Sequence, residues 1–366
     1  MKPPNLLPLS EGARLLIVRR DNIGDLICTT PLMRALRAAL PAAHLAVLTN
    51  DYAAPALAGN PDIDAVYCYG KAKHRAGKAL LALYWQRWRL LRQLRAQRFD
   101  LAILAGSAHS VRALAHARAV RPRHILGYAP AQGQPPKALD WPLPPPATDL
   151  HHVEAVFGLL APLGINGPPP ALRLVPPDTG ALRAQLAAAG LPVDGRPLIA
   201  LHLSARKPSQ RWPIDHFARL IPLLAVAQPA TRFLLLWSPG AADDAHHPGD
   251  DDKAAALVRL LQTQDAVPVG PTFAASRRQP AFHALPTRTL SELIAALALV
   301  DGFIGSDGGA MHLAAALGKP VVCLFGASDA HHWHPWGVPY ALLQREHVAA
   351  ITPEEVLAAW QELAAH

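Results

Sequence analysis

The sequence predicts an α/β protein built on parallel sheets, and three observations predict it. Short, continuous apolar runs alternate with Ala- and Leu-rich helical stretches, glycine turns join run to helix near both ends of the chain, and 366 residues are long for one hydrophobic core. The first run, LLIV at 15–18, is followed by the turn RRDNIGD at 19–25. A helix comes next, and its start is open: Thr30-Pro31 suits a cap and first turn, while Leu26 and Ile27 can already be helical. HLAVLT at 44–49 supplies the second strand. A dinucleotide-binding oxidoreductase would carry G-x-G-x-x-G at the first turn, and only Gly24 stands there, which disfavours that class.

The second half begins again as strand with LIALH at 198–202 and continues with FLLLW at 233–237. Its most informative stretch is DGFIGSDGGAMHLAAALGKPVVCLFG at 301–326, which reads as strand, glycine turn, helix and strand. Residues 302–305 lead to Ser306-Asp307-Gly308-Gly309, residues 310–317 are strong helix formers, Gly318 stops the helix, and 321–325 form a buried-type strand. Glycines at the helix start let a ligand approach the backbone, and the unpaired first-turn N–H groups can take a phosphate. The alternative is a plain strand-to-helix turn in which Asp307 caps the helix. Proline and glycine gather at 130–146 and 164–177, the places for a long surface loop and for a linker between two domains.

Cys28, Cys68 and Cys323 form neither a disulfide framework nor a C-x-x-C motif, which predicts a reducing compartment. The first residues lack the apolar core of a signal peptide, and no run approaches the roughly 20 apolar residues of a membrane span. A cytoplasmic protein that touches a bilayer only at its surface is therefore expected. The net charge is +8, and residues 71–98 carry Lys71, Lys73, Arg75, Lys78, Arg87, Arg89, Arg92, Arg95 and Arg98 with no acidic residue. Leu80, Leu83, Tyr84, Trp85, Trp88, Leu91 and Leu94 interleave at helical spacing, so one face can pack or meet lipid while arginines reach for anionic headgroups. A solvated helix packed on the first sheet is the other reading, and no nucleic-acid-binding motif accompanies the charge.

Five segments in order carry a family resemblance: LLIVRRDNIGDLICTTPLMRALR near the start, His151-His152-Val153-Glu154, Arg211-Trp212-Pro213 with Phe217, Thr289-Leu290-Ser291-Glu292-Leu293, and IGSDGGAMHLAAALGKPVVCLFGASD. Together they resemble glycosyltransferase family 9, the lipopolysaccharide heptosyltransferases. The resemblance implies the GT-B architecture, two Rossmann-like domains facing across a cleft. It implies an acceptor-binding domain at 1–175 and a nucleotide-sugar-binding domain at 176–366, with the last helix able to pack back on the first.

In the resembled family the Asp after the Ile-Gly step takes the acceptor proton, which points to Asp25; a helix N-cap is the alternative. The donor diphosphate is implied at the backbone of Gly308, Gly309, Ala310 and Met311, with Asp307 on sugar hydroxyls and His312 close behind. The family usually reads D-T-G-P-M-H, so Gly308 and Ala310 are departures, and a lone helical His is otherwise structural. Its lysine two residues before Trp-Pro is Gln210 here, which leaves Arg206, Lys207 and Arg211 as candidate cations. Glu292 completes the implied donor set, and Arg19, Arg89, Arg92 and Arg95 the acceptor or membrane set.

Asp243, Asp244, Asp250, Asp251 and Asp252 with His246 and His247 read as a solvated acidic loop with a possible ribose contact, and no metal or other cofactor is expected. The implied reaction is inverting transfer of a heptose from ADP-heptose to an acidic lipopolysaccharide core glycolipid at the inner membrane's cytoplasmic face. The alternatives are another nucleotide sugar on a core, O-antigen or capsule glycan, and a non-catalytic sugar-nucleotide or polysaccharide-binding protein.

Overall fold

The computed structural model describes residues 9–70, 78–241, 249–263 and 281–365, without the side chains of 78–83 and 208. The chain forms two compact units, Met1–Val175 and Pro176–His366.

The first unit contains β1 (Arg14–Val18), α1 (Ile23–Ile27), α2 (Thr30–Ala39), β2 (His44–Asn50), β3 (Ala65–Tyr69), α3 (Lys78–Ala96), β4 (Leu101–Leu104), α4 (Val111–Val120), β5 (His124–Tyr128), β6 (Trp141–Leu143) and α5 (His152–Phe157). Its strands lie in the order β3-β2-β1-β4-β5-β6, all neighbours parallel. β1 is central, and Leu15 to Val18 are all buried, which is why that run is apolar on both faces. The open helix start resolves into two helices. α1 already holds Leu26 and Ile27, and α2 follows from Thr29 with Pro31 in its first turn.

The second unit contains α6 (Gly180–Ala188), β7 (Leu198–His202), α7 (Ile214–Ala227), β8 (Arg232–Trp237), α8 (Asp251–Thr263), β9 (Phe282–Pro286), α9 (Leu290–Leu299), β10 (Gly302–Ser306), α10 (Gly309–Ala316), β11 (Val321–Phe325), α11 (Ala330–Trp333), β12 (Tyr340–Gln344) and α12 (Pro353–Ala364). The sheet order is β12-β11-β10-β7-β8-β9, again parallel throughout. In each unit the chain lays down strands on one side of its first strand and then crosses to the other. The reversal falls between β1 and β4 in one unit and between β7 and β10 in the other. Loops leaving the strands' carboxyl ends diverge at such a point and open a crevice. The turn at 19–25, the loop at 203–213 and the turn at 307–309 all lie there.

Three expectations need correction. The proline-rich stretch at 130–146 is not only a loop: β6 lies within it, and Pro142 is tolerated because the strand is an edge strand. Asp250 is buried, and Asp251 and Asp252 open α8 instead of lying in a solvated loop, since carboxylates favour a helix's positive end. Asp251 also accepts from Trp237 Nε1 at 2.7 Å and from the Gly240 amide at 2.9 Å. Asp243, Asp244, His246 and His247 lie outside the described residues, as do Lys71, Lys73 and Arg75. Finally, α12 packs on the second unit's own core. Val356, Ala359 and Trp360 join Phe217, Leu220 and Leu224 of α7, and Trp360 Nε1 donates to Gln228 at 3.1 Å.

That packing sets a sharp steric limit. A methyl group on Gly302 of β10 would lie 2.2 Å from the ring tip of buried Trp360. Gly302→Ala is expected to cost about 1–3 kcal/mol in chemical denaturation, as overpacked cores do. Trp360→Leu in the same background should return part of the loss, because it empties the space the methyl group needs.

Candidate active site

In the first unit the site begins where β1 ends. Arg19 is 2% exposed, and a buried guanidinium needs partners for its donors. Its Nη1 donates to the Ala105 carbonyl beyond β4, and its Nη2 donates to Asp25 Oδ1. Nη2 also lies 3.0 Å from His152 Nε2 on α5. A guanidinium can only donate, so His152 Nε2 is the acceptor in that contact. The other oxygen of Asp25, Oδ2, accepts from the Asn22 amide at 3.1 Å and from Asn22 Nδ2 at 3.3 Å. Asp25 is thus the third residue of α1, closing a capping box with Asn22, and not an N-cap. Both of its oxygens are held, and its side chain stays 15% exposed. Three elements therefore aim one carboxylate at the crevice. Buried as it is, Arg19 itself does not face a membrane, which corrects that part of the expectation. Its Nη atoms serve Asp25, Ala105 and His152, and its Nε, buried without a hydrogen bond, lies 3.8 Å from Asp21.

In the second unit the candidate donor turn follows β10. The Asp307 amide donates to Leu324 at 3.0 Å, and Gly308, in extended conformation, precedes α10. A Cβ at Gly308 would meet nothing within 4 Å, so neither backbone nor space demands glycine there. Ala310, Met311 and His312 are buried, and the His312 ring stands edge-on to Trp333 at 6.0 Å. What residues 309–311 can present is their first-turn N–H groups. Gln210, in the place of the family lysine, donates from Nε2 to Asp307 Oδ2 at 2.8 Å. That bond orients Asp307 without supplying charge. Arg211 is drawn away, its Nε donating to Ala205 at 3.0 Å and its Nη1 4.0 Å from buried Asp250. Arg206 and Lys207 stay exposed on the same loop. Trp212 anchors that loop by donating to Ile351 at 2.9 Å. Glu292 stands in the first turn of α9 and accepts from the Arg288 amide at 2.7 Å.

The residues missed by sequence reasoning are His152, Asn22 and Lys253. His152 lies in the 151–154 segment that carries the resemblance, where the neighbouring His151 draws the attention and only the fold singles out His152. Lys253 gave no signal within a charged helix start; its Nζ donates to the Leu203 carbonyl at 2.7 Å, and burial pushes its pKa down to about 8. Arg89, Arg92 and Arg95 are exposed on α3, with Arg92 over the Trp88 ring at 5.5 Å. Tyr84, Trp85 and Trp88 are 63, 69 and 53% exposed, while Leu94 is buried and Leu90 and Leu91 are half-buried. The helix packs along its C-terminal half and leaves aromatics in solvent. Among the described residues no cluster of three or more His, Cys, Asp or Glu side chains could hold a metal ion.

Two Rossmann-like units with these turns at their switch points make up the GT-B architecture. Residues 87–354 match glycosyltransferase family 9 (heptosyltransferase), and the chain belongs to that family. It is a glycosyltransferase. Lipopolysaccharide heptosyltransferase 3 of Escherichia coli is 26% identical over 86% of this chain and 83% of its own length. Among solved structures, a family 9 glycosyltransferase from Veillonella parvula superposes with a TM-score of 0.78 at 18% identity, covering 99% of each chain. E. coli heptosyltransferase WaaC, solved with ADP, superposes at 0.72 with 19% identity over 96% of this chain and 99% of its own.

Lys253 makes a pH prediction. Its folded pKa, about 8, lies below the ordinary 10.5, so between those values the unfolded chain binds more protons than the folded one. This residue's share of stability must therefore rise as pH climbs through that window. Lys253→Met should remove the rise. Urea unfolding just below pH 8 and near pH 10.5 should show the wild type gaining on the variant as pH increases.

Proposed function

We propose that this chain transfers a heptose from ADP-heptose to a hydroxyl of an acidic lipopolysaccharide core acceptor, by one direct displacement that inverts the anomeric carbon. The observation that carries this reading is Asp25, a carboxylate held on both oxygens at a sheet switch point and still open to the crevice. Asp25 takes the proton of the attacking hydroxyl as the new C–O bond forms. The bond to the nucleoside diphosphate breaks and that group leaves with the electron pair. The N–H groups of Gly309, Ala310 and Met311 receive the leaving charge, helped by Arg206 and Lys207 and without a metal. Asp307, oriented by Gln210, accepts from sugar hydroxyls, and His312 supports the turn from behind. Glu292 helps shape the donor side. The names of the relatives, which include lipopolysaccharide heptosyltransferase 3 and WaaC with ADP, support the heptose and the adenine nucleotide.

The test is Asp25→Asn. General-base catalysis contributes about 10²- to 10⁴-fold, so turnover should fall by that much while ADP affinity, read by calorimetry, stays near wild type. The variant also leaves Arg19 beside a neutral partner, so circular dichroism must first show that it is folded. A folded variant with near-normal turnover would remove Asp25 as the base. A wild type that binds nucleotide sugars in a thermal-shift panel and transfers none would favour the non-catalytic reading.

The membrane side of the proposal rests on α3. Trp85 and Trp88 stand in solvent on the same side of α3 as Arg89 and Arg92, which supports contact of aromatic rings and arginines with the headgroups of an anionic bilayer, here the cytoplasmic face of the inner membrane. No helix among the described residues is long and apolar enough to cross a membrane. Replacing the three arginines by glutamine should weaken binding to anionic vesicles, most at low salt, and leave ADP affinity unchanged. Vesicle binding indifferent to all three would make the patch a solvated face.

A further inference from the structure

We propose that a hollow beside the Asp25 turn, roofed by α3, binds a phosphomonoester carried on an apolar body, a reading that rests on the acidic glycolipid acceptor above. The hollow has a volume of about 940 Å³ and lies wholly within the first unit, among the turn after β1, the end of β3, and one side each of α3 and α4. That is the size of a small-molecule site.

Three arginines stand in its polar lining. Arg20 enters from the turn, Arg87 from α3, and Arg112 with His116 from α4. None of the three arginines makes an ion pair among the described residues, and Arg20 Nε is buried without a hydrogen-bond partner. The one carboxylate on the lining, Asp21, is half-exposed and lies 3.8 Å from Arg19 instead. His116 stacks at a tilt on Tyr69, with ring centroids 4.7 Å apart. Burial, then Arg20 and Arg87, push its pKa down to about 4, so the ring is neutral at pH 7 and leaves the positive charge to the arginines. Three guanidiniums facing one cavity offer the forked donors that suit a phosphate.

Four leucines add an apolar side to the lining. Leu48 comes from the sheet, and Leu90, Leu91 and Leu94 come from the packed half of α3. A free inorganic anion gains nothing from leucines. An amphiphile uses both. The position gives the site its meaning, because Arg20, Asp21 and Asn22 line it while Asn22 also binds Asp25. A phosphate held here would fix the acceptor's acidic end beside the base without touching Arg19 or Asp25.

Isothermal calorimetry with octyl phosphate below its micellar concentration, inorganic phosphate and octyl glucoside tests this on the full chain. Octyl phosphate should bind one to one, more tightly than inorganic phosphate, and octyl glucoside should not bind. The double change Arg87→Gln and Arg112→Gln should weaken octyl phosphate about tenfold or more, since charge-assisted hydrogen bonds are lost. Arg118→Gln, on α4 but off the hollow, should change nothing and serves as the control for folding and bulk charge. Equal affinity for octyl and inorganic phosphate would overturn the amphiphile and leave a phosphate site. Affinity unchanged in the double variant would overturn the site itself. Octyl phosphate binding that persists where Asp25→Asn retains turnover would sink the catalytic assignment alone, so the two readings fail separately.

Discussion

A parallel sheet sends its loops out at the carboxyl ends of its strands, and where strand order reverses, neighbouring loops must part. Both units obey this constraint, and Asp25, Gln210 and Asp307 owe their places to it. β1 and β4 part around the turn that holds Asp25, and β7 and β10 part around the loop of Gln210 and the turn of Asp307. The strands need continuous apolar runs because both faces are covered. Polar side chains are therefore left to these loops, where they converge.

Within the first unit the chemistry hangs on a buried charge. Burying Arg19 would be costly alone, and Ala105, His152 and Asp25 offset that cost by partnering its two Nη atoms. The same bonds preorganise Asp25, so the structural need of one residue sets the geometry of another. The second unit uses a neutral version of the device. Gln210 orients Asp307 through one hydrogen bond, while the nearest arginine, Arg211, turns toward Ala205 and Asp250. Charge for a leaving diphosphate then falls to exposed Arg206 and Lys207 and to the backbone of α10.

The surface of the first unit divides α3 in two. Its C-terminal half packs Leu94 on the sheet and roofs a cationic hollow, while Trp85 and Trp88 stand in water. One helix can do both because apolar residues recur on more than one side of it. A helix with leucine on its packed side and tryptophan on its free side has two surfaces to satisfy.

Much of this was legible in the residues themselves. LLIV at 15–18, LIALH at 198–202 and VVCLF at 321–325 are strands because uninterrupted β-formers bounded by turn residues have few other ways to bury themselves. Gly318, at a φ of 74°, ends α10 for the local reason that a left-handed residue there is best a glycine. Asp25 and the Asp307-Gly308-Gly309 turn were visible through motif and order. Tertiary structure alone decided the partners. That Arg19 is bonded to Asp25, that His152 joins them from 127 positions beyond Asp25, and that Gln210 reaches Asp307 are facts of the fold. No local pattern encodes them, because a charged side chain's partner is set by which loops the sheet order brings together. For the same reason β6 hid inside a proline-rich loop: an edge strand asks little of its sequence and takes its hydrogen bonds from a neighbour that only the fold supplies.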